Sequence, residues 1–288
     1  MKIHSYCFIV LFLILGSNVN AQINIVNDLV GKIDSYYKLD YKQICKQKSP
    51  FSDDFSSIYI KSSVAKSPVK KDGFELFVMD EARGFKYISN GSIRMDLNEK
   101  DKTYKIKNNS EDEPYQSPYY WADFMKKQLK FSTKKLISLP DTIINTVNCL
   151  HIEFLLKDSV NSRLSYDICL NKKTGLPVYT KQFIKGSVSK VDFTISEILT
   201  MINENNYSNY NINPTIFPKI ADFKIPVDYS IEKKISPLKP GDKIPEWKLQ
   251  DLCGKTVSNK DLEGSLVLID FSYNECAGCA LSIFQYRL

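Results

Sequence analysis

The sequence predicts an α+β chain: one large antiparallel β-sheet with helices covering one face, followed by a shorter, incomplete α/β segment. Three observations predict it. A helical apolar period near the N-terminus gives way beyond Pro50 to runs of period two, evenly spaced and punctuated by turn residues. A second meander of the same kind follows a short helical stretch. Near the C-terminus stands a continuous apolar run, Leu266 to Phe271, the mark of a strand buried on both faces. With 288 residues, 43% hydrophobic and 25% charged, the chain is neither collagen-like, coiled-coil nor wholly disordered.

The first 21 residues read as a secretory signal peptide. Lys2 and His4 precede the apolar run Tyr6 to Gly16, and polar residues with Val19 and Ala21 lead to a cut before Gln22. An uncleaved anchor helix is the competing reading, although the run is short for a bilayer span. No small-residue lipobox precedes Cys7, so lipidation there is not expected. Export to the periplasm, or otherwise out of the cytoplasm, would place the mature chain where cysteine pairs persist.

From Ile23 to about Lys46 an amphipathic helix is expected, with Val26, Leu29, Val30, Ile33, Tyr36 and Tyr37 on one face. Strands follow at Phe55 to Ile60, Phe74 to Met79, Gly84 to Ile88, Ser92 to Leu97 and Thr103 to Ile106. Their turns are Lys71-Asp72-Gly73, Asn90-Gly91 and Asn98 to Asp101, and Asn-Gly between apolar runs is a strong hairpin signal. Ser117 to Phe131 reads as a helix with Pro118 in its first turn. The second meander comprises Val147 to Leu156, Leu164 to Leu170, Leu176 to Lys185 and Val188 to Leu199, the last pair turning at Lys185-Gly186-Ser187. Residues 203–240 are rich first in Asn and then in Pro, which reads as a linker laid partly over the sheet through Ile216, Phe217, Ile220 and Phe223. The resulting organisation is a signal peptide at 1–21, a sheet domain at 22–205, a linker at 206–235 and a last domain at 236–288.

A signal peptide, a helix, a strand meander, a short helix and strands carrying Ile168 to Val178 (ICLNKKTGLPV) resemble the LolA-type lipoprotein carriers. The resemblance implies a curved half-barrel sheet over residues 22–205, with acyl chains or another lipid held in its concavity. A scaffold with a filled core and no ligand remains the other reading.

Composition excludes several function classes. The net charge of +6 is scattered, and Lys66 to Lys71 holds only three lysines, so no nucleic-acid partner is expected. His4 and His151 are the two histidines, which leaves little for a His-rich metal site, a Ser-His-Asp triad or a Cys-His protease. The chemistry-bearing motif is Cys276-Ala277-Gly278-Cys279, placed after the apolar run and before a stretch that can be helical. A helix N-terminus favours a thiolate at the first cysteine, and three-residue spacing brings the second within one turn. A zinc knuckle would need a second ligand pair, for which Cys253 and His151 are poorly spaced, and a structural disulfide is the main competitor. No metal and no cofactor are expected.

Gly241 to Pro245, Trp247 to Asp251, Gly254 to Val257, Asp261 to Gly264, the apolar run and Cys-x-x-Cys together resemble the opening of the TlpA/ResA-like branch of the thioredoxin superfamily. The resemblance implies an exported thiol–disulfide oxidoreductase, with Cys276 as nucleophile and Cys279 as resolving cysteine. Its partners would be a protein disulfide substrate and a membrane or periplasmic reductant. Glu275 replaces the usual aromatic residue and should raise the Cys276 pKa. The chain ends nine residues after Cys279, so a truncated, thioredoxin-like domain of impaired activity is expected. The alternative is a periplasmic binding module for a lipid or apolar ligand, carrying an inert redox remnant. Elsewhere Cys149 is expected nearly opposite Cys169, where a cross-strand disulfide and two buried free thiols both fit.

Overall fold

The computed structural model describes residues 21–50, 54–67, 74–108, 116–131, 136–189, 196–232, 238–251 and 253–267. The expected signal peptide, apart from Ala21, lies outside them.

Helix α1 covers residues 21–35, burying Val26, Leu29, Val30 and Ile33 at the i, i+3, i+4, i+7 spacing that predicted it. It stops well short of Lys46. From Lys38 the buried positions are Leu39, Tyr41 and Gln43, a period of two, and the chain is strand β1 (Lys38–Lys48). Strands β2 (Phe55–Lys66), β3 (Phe74–Asp80), β4 (Phe85–Ser89), β5 (Ile93–Asn98) and β6 (Thr103–Asn108) form the first meander. The Asn90-Gly91 turn is as expected: Gly91 has φ +83°, and the Asn90 side chain accepts from the Ser92 and Ile93 amides.

Helix α2 (Pro118–Phe131) opens on Ser117, whose hydroxyl accepts the Tyr120 amide at 3.1 Å, with Pro118 in the first helical position. Then come β7 (Leu136–Ser138), β8 (Thr142–Ile144), β9 (Val147–Ser159), β10 (Ser162–Asn171), β11 (Pro177–Ser189), β12 (Ser196–Ile212) and β13 (Ser230–Ile231). They join the first meander in one 13-stranded sheet of order β13-β6-β5-β4-β3-β2-β1-β12-β11-β10-β9-β7, with β8 beside β9. The sheet is open and, but for β13, antiparallel. The α+β expectation of a large sheet with helices on one face therefore holds for this unit.

Two expected boundaries are corrected. No turn occurs at Gly186: the ladder continues through Lys185–Thr200, Gly186–Leu199 and Ser187–Ile198, so β11 runs on to Ser189. Residues 206–212 are strand, not linker. The Asn-rich run pairs with β1 as far as Ile212–Leu39, because its inward asparagines find hydrogen-bond partners across the sheet. Past it, Phe217 is buried at 7% exposure while Ile216 is 85% exposed, and β13 then adds to the edge of β6.

The chain divides after Ile231 into two units. In the second, β14 (Lys248–Gln250) and β15 (Thr256–Ser258) form a small hairpin, followed by a 3-10 turn at Asn259–Leu262. Its side chains are largely exposed. Leu266 and Val267, the first residues of the expected buried strand, are exposed at 104% and 43%. No thioredoxin-like element is present among the described residues, and the remainder of that segment lies outside them.

Candidate functional site

Cys276 and Cys279 lie outside the described residues. The described residues hold four free cysteines. Cys253 is exposed in the β14–β15 turn. Cys45 faces the interior, where burial pushes its thiol up to about 11. The expected placement of Cys149 opposite Cys169 is two residues off, since Cys149 pairs with Asn171 and Cys169 with His151. The two thiols share a small apolar cluster with Val178, and burial pushes Cys169 up to about 12. They are buried free thiols, poor nucleophiles at neutral pH. His151 is on the same face, with Nε2 3.8 Å from the Asp167 carboxylate. Among the described residues no group of three or more metal-ligating side chains occurs.

The geometry of the sheet points elsewhere. Directly paired residues of an antiparallel ladder share a face, so register assigns every side chain. The helix-bearing face carries Leu39, Tyr41, Val64, Leu76, Leu150, Ile152, Phe154, Ile168, Leu170 and Tyr207, buried against Val26, Leu29 and Ile33 of α1 and Trp121, Ala122 and Met125 of α2. Trp121 donates its indole N–H to the Tyr207 hydroxyl at 2.8 Å, and that hydroxyl donates to the Gln116 carbonyl. Phe124 packs tilted against Tyr166, ring centroids 4.7 Å apart, and edge-to-face against Phe154 at 5.5 Å.

Farther along the same strands the face becomes polar. Gln43 donates to the Asn205 side chain at 3.0 Å, and Asn205 to the Thr180 hydroxyl at 3.3 Å. One row on, Asn203 donates to Gln182 at 2.9 Å, and Gln182 to the Tyr166 hydroxyl at 2.8 Å. These two lines form an amide band across β1, β12, β11 and β10. Gln43, Asn205 and Thr180 are buried, and each is satisfied.

Beyond the band on β10 to β12, and beside it on β2 and β3, the face turns apolar again. By register, Ile58 and Ile60 of β2, Val78 of β3, Leu164 of β10, Ile184 of β11, and Leu199 and Met201 of β12 share the helix-bearing side. All seven are half-buried, and none is among the side chains packed on the core. Core, amide band and apolar strip thus succeed one another along single strands: on β12, Tyr207, then Asn205 and Asn203, then Met201 and Leu199. The opposite face differs in kind. Glu153, Asp167, Lys181, Glu204 and Lys46 stand in one register row across five strands. Burial and the neighbouring Glu153 hold the Asp167 carboxyl above its ordinary range.

Sequence reasoning did not find the band or the strip. Alternation was legible in β11 and β10, but the Asn-rich signal of β12 pointed to a linker.

No protein-family profile and no curated protein matches the chain. Several solved structures are similar in outline. Mycobacterium tuberculosis lipoprotein LppX is 6% identical with a TM-score of 0.36, over 69% of this chain and 98% of that one. The Pseudomonas aeruginosa MucA/MucB complex gives 12% and 0.30, over 82% and 74%. A LolA superfamily protein from Nitrosomonas europaea gives 10% and 0.21, over 66% and 94%. Overlaps this loose decide nothing about ligand or partner, and the reading below rests on the residues.

Proposed function

We propose that the sheet unit is an exported binding module for an apolar, chain-like ligand such as an acyl chain, laid along the strip from Leu164 through Ile184 and Met201 to Ile58 and Ile60. One observation carries it: seven aliphatic side chains on the helix-bearing face outside the core, of which Leu164, Ile184, Leu199 and Met201 are separated from it by a satisfied polar band and Ile58, Ile60 and Val78 flank that band on β2 and β3. A folding core gains nothing from that separation, whereas a ligand covering the strip removes apolar surface from water at about 25 cal/mol per Å². The test uses N-phenyl-1-naphthylamine, an uncharged apolar fluorophore, titrated into the purified chain. Saturable enhancement is expected, weakened at least about tenfold, or 1.4 kcal/mol, in Met201→Asp and Ile184→Asp, since a carboxylate on the strip resists desolvation. Absence of saturable binding by the folded chain would remove the reading.

A second reading is thiol–disulfide exchange, in which Cys276 attacks a protein disulfide and Cys279 resolves the mixed disulfide, with a periplasmic or membrane reductant restoring the dithiol. The Cys-x-x-Cys spacing supports it. Glu275 beside Cys276 disfavours the thiolate, so insulin reduction is expected to run little faster than with a free dithiol. Turnover at least about tenfold above a free dithiol, and lost in Cys276→Ser, would make this pair the working site instead.

A further inference from the structure

We propose that the ligand of the strip carries an uncharged, hydrogen-bonding head group, held at the amide band; this rests on the binding-module reading above. The argument is one of charge and its absence. On β1 to β3 and β9–β12, the described side chains of the helix-bearing face are uncharged except for Lys66, Asp80 and Lys157. Lys66 lies at the core end, where its ammonium donates to the Asp34 carbonyl and sits over the Tyr119 ring at 5.7 Å. Lys157 is exposed at the far end of β9, opposite Leu164, and Asp80 is buried opposite Ile60, with the Arg83 guanidinium at 3.7 Å. Where the band meets the strip, the bordering groups are the amides of Gln182, Asn203 and Gln47 and the phenol of Tyr166.

A carboxylate or phosphate brought to the band loses water and meets no countercharge there, which is costly. Hydroxyls, an ester carbonyl or an amide exchange water for amide N–H and C=O partners at little net cost. The band has an open end to receive them. Gln47 pairs with Asn203 in register, is exposed, and among the described residues donates its amide only to the Met201 sulfur at 4.0 Å, a weak acceptor. Its side chain therefore stands free for a ligand where the band meets the strip. The preferred class is a neutral acyl lipid of the monoacylglycerol kind, over a fatty-acid anion of equal chain length.

Equilibrium dialysis of the full chain at pH 8 against radiolabelled monooleoylglycerol and oleate, each below its micelle concentration, tests this. Monooleoylglycerol is expected to bind at least tenfold more tightly, with a ratio insensitive to salt. Gln47→Lys, at an exposed position where folding is not at stake, places an ammonium at the open end. It is expected to raise oleate affinity at least fivefold and close much of the gap. Equal or tighter oleate binding by the native chain would overturn the uncharged head group while leaving the strip as an apolar site. An unchanged ratio in Gln47→Lys would overturn the band as the head-group position. If the folded chain binds neither lipid nor the naphthylamine probe, the strip itself is not a site, and both readings fall.

Discussion

At Gly175 the chain has no room for a β-carbon. The residue has φ +78°, and a Cβ built there would lie 2.2 Å from the carbonyl oxygen of Leu29 in α1. The β10–β11 turn is docked against that helix from several sides. Asn171 closes it by accepting the Lys173 and Thr174 amides, Lys32 reaches the carbonyls of Lys172 and Lys173, and the Tyr36 hydroxyl donates to the Thr174 carbonyl at 2.8 Å. Because both clashing partners are backbone, neither can swing aside. Gly175→Ala is therefore expected to cost about 2–4 kcal/mol, combining the left-handed penalty with displacement of α1. Denaturant unfolding of the full chain measures it. A loss under about 1 kcal/mol would show that α1 does not seat on this turn in solution.

Elements were legible in the sequence where local chemistry alone decides them. Asn90-Gly91 set the β4–β5 hairpin, Ser117-Pro118 opened α2, and Val26 to Ile33 made the buried stripe of α1, since each signal acts within one turn or one period. The errors fall where a distant strand decides. Tyr36 and Tyr37 prolong the helical pattern, yet Leu39 to Lys48 pairs with β2 and β12 on either side, and a ladder on both edges outweighs a weak helical preference. Gly186 reads as a turn, but β12 supplies a partner opposite it. Asn203 and Asn205 are poor strand formers in isolation; Gln182, Gln43 and Thr180 make them interior residues by pairing their amides. The same blindness hid the candidate site. Strip and band become visible only when register places side chains of six strands on one side.

In the whole molecule the first long strand and the last lie side by side at the centre of the sheet. β1 sits between β2 and β12, so the two meanders close on each other only when β12 is in place. The core draws on α1, β1 to β3, α2, β9, β10 and the end of β12 together, which makes it one cooperative body rather than two. Tyr207 is the hinge of that arrangement: buried at 3% exposure, it accepts from Trp121, tilts against Tyr41 at 6.1 Å and holds the Gln116 carbonyl ahead of α2. Tyr210 and Ile212 pack beside it. A chain of residues 22–231, which keeps β12 and the β13 edge, is expected to unfold in one thermal transition close to that of the same unit in the full chain. A chain of residues 22–205, cut before Tyr207, loses three core side chains and leaves the Trp121 indole without its acceptor. Aromatic loss alone costs about 3–5 kcal/mol. At about 2–4 °C per kcal/mol in a domain of this size, its Tm should fall by about 10–20 °C, or the transition should lose cooperativity. Calorimetry on the two chains decides it. Equal midpoints would mean that the end of β12 is not part of the core, and that the sheet unit closes at 205 after all.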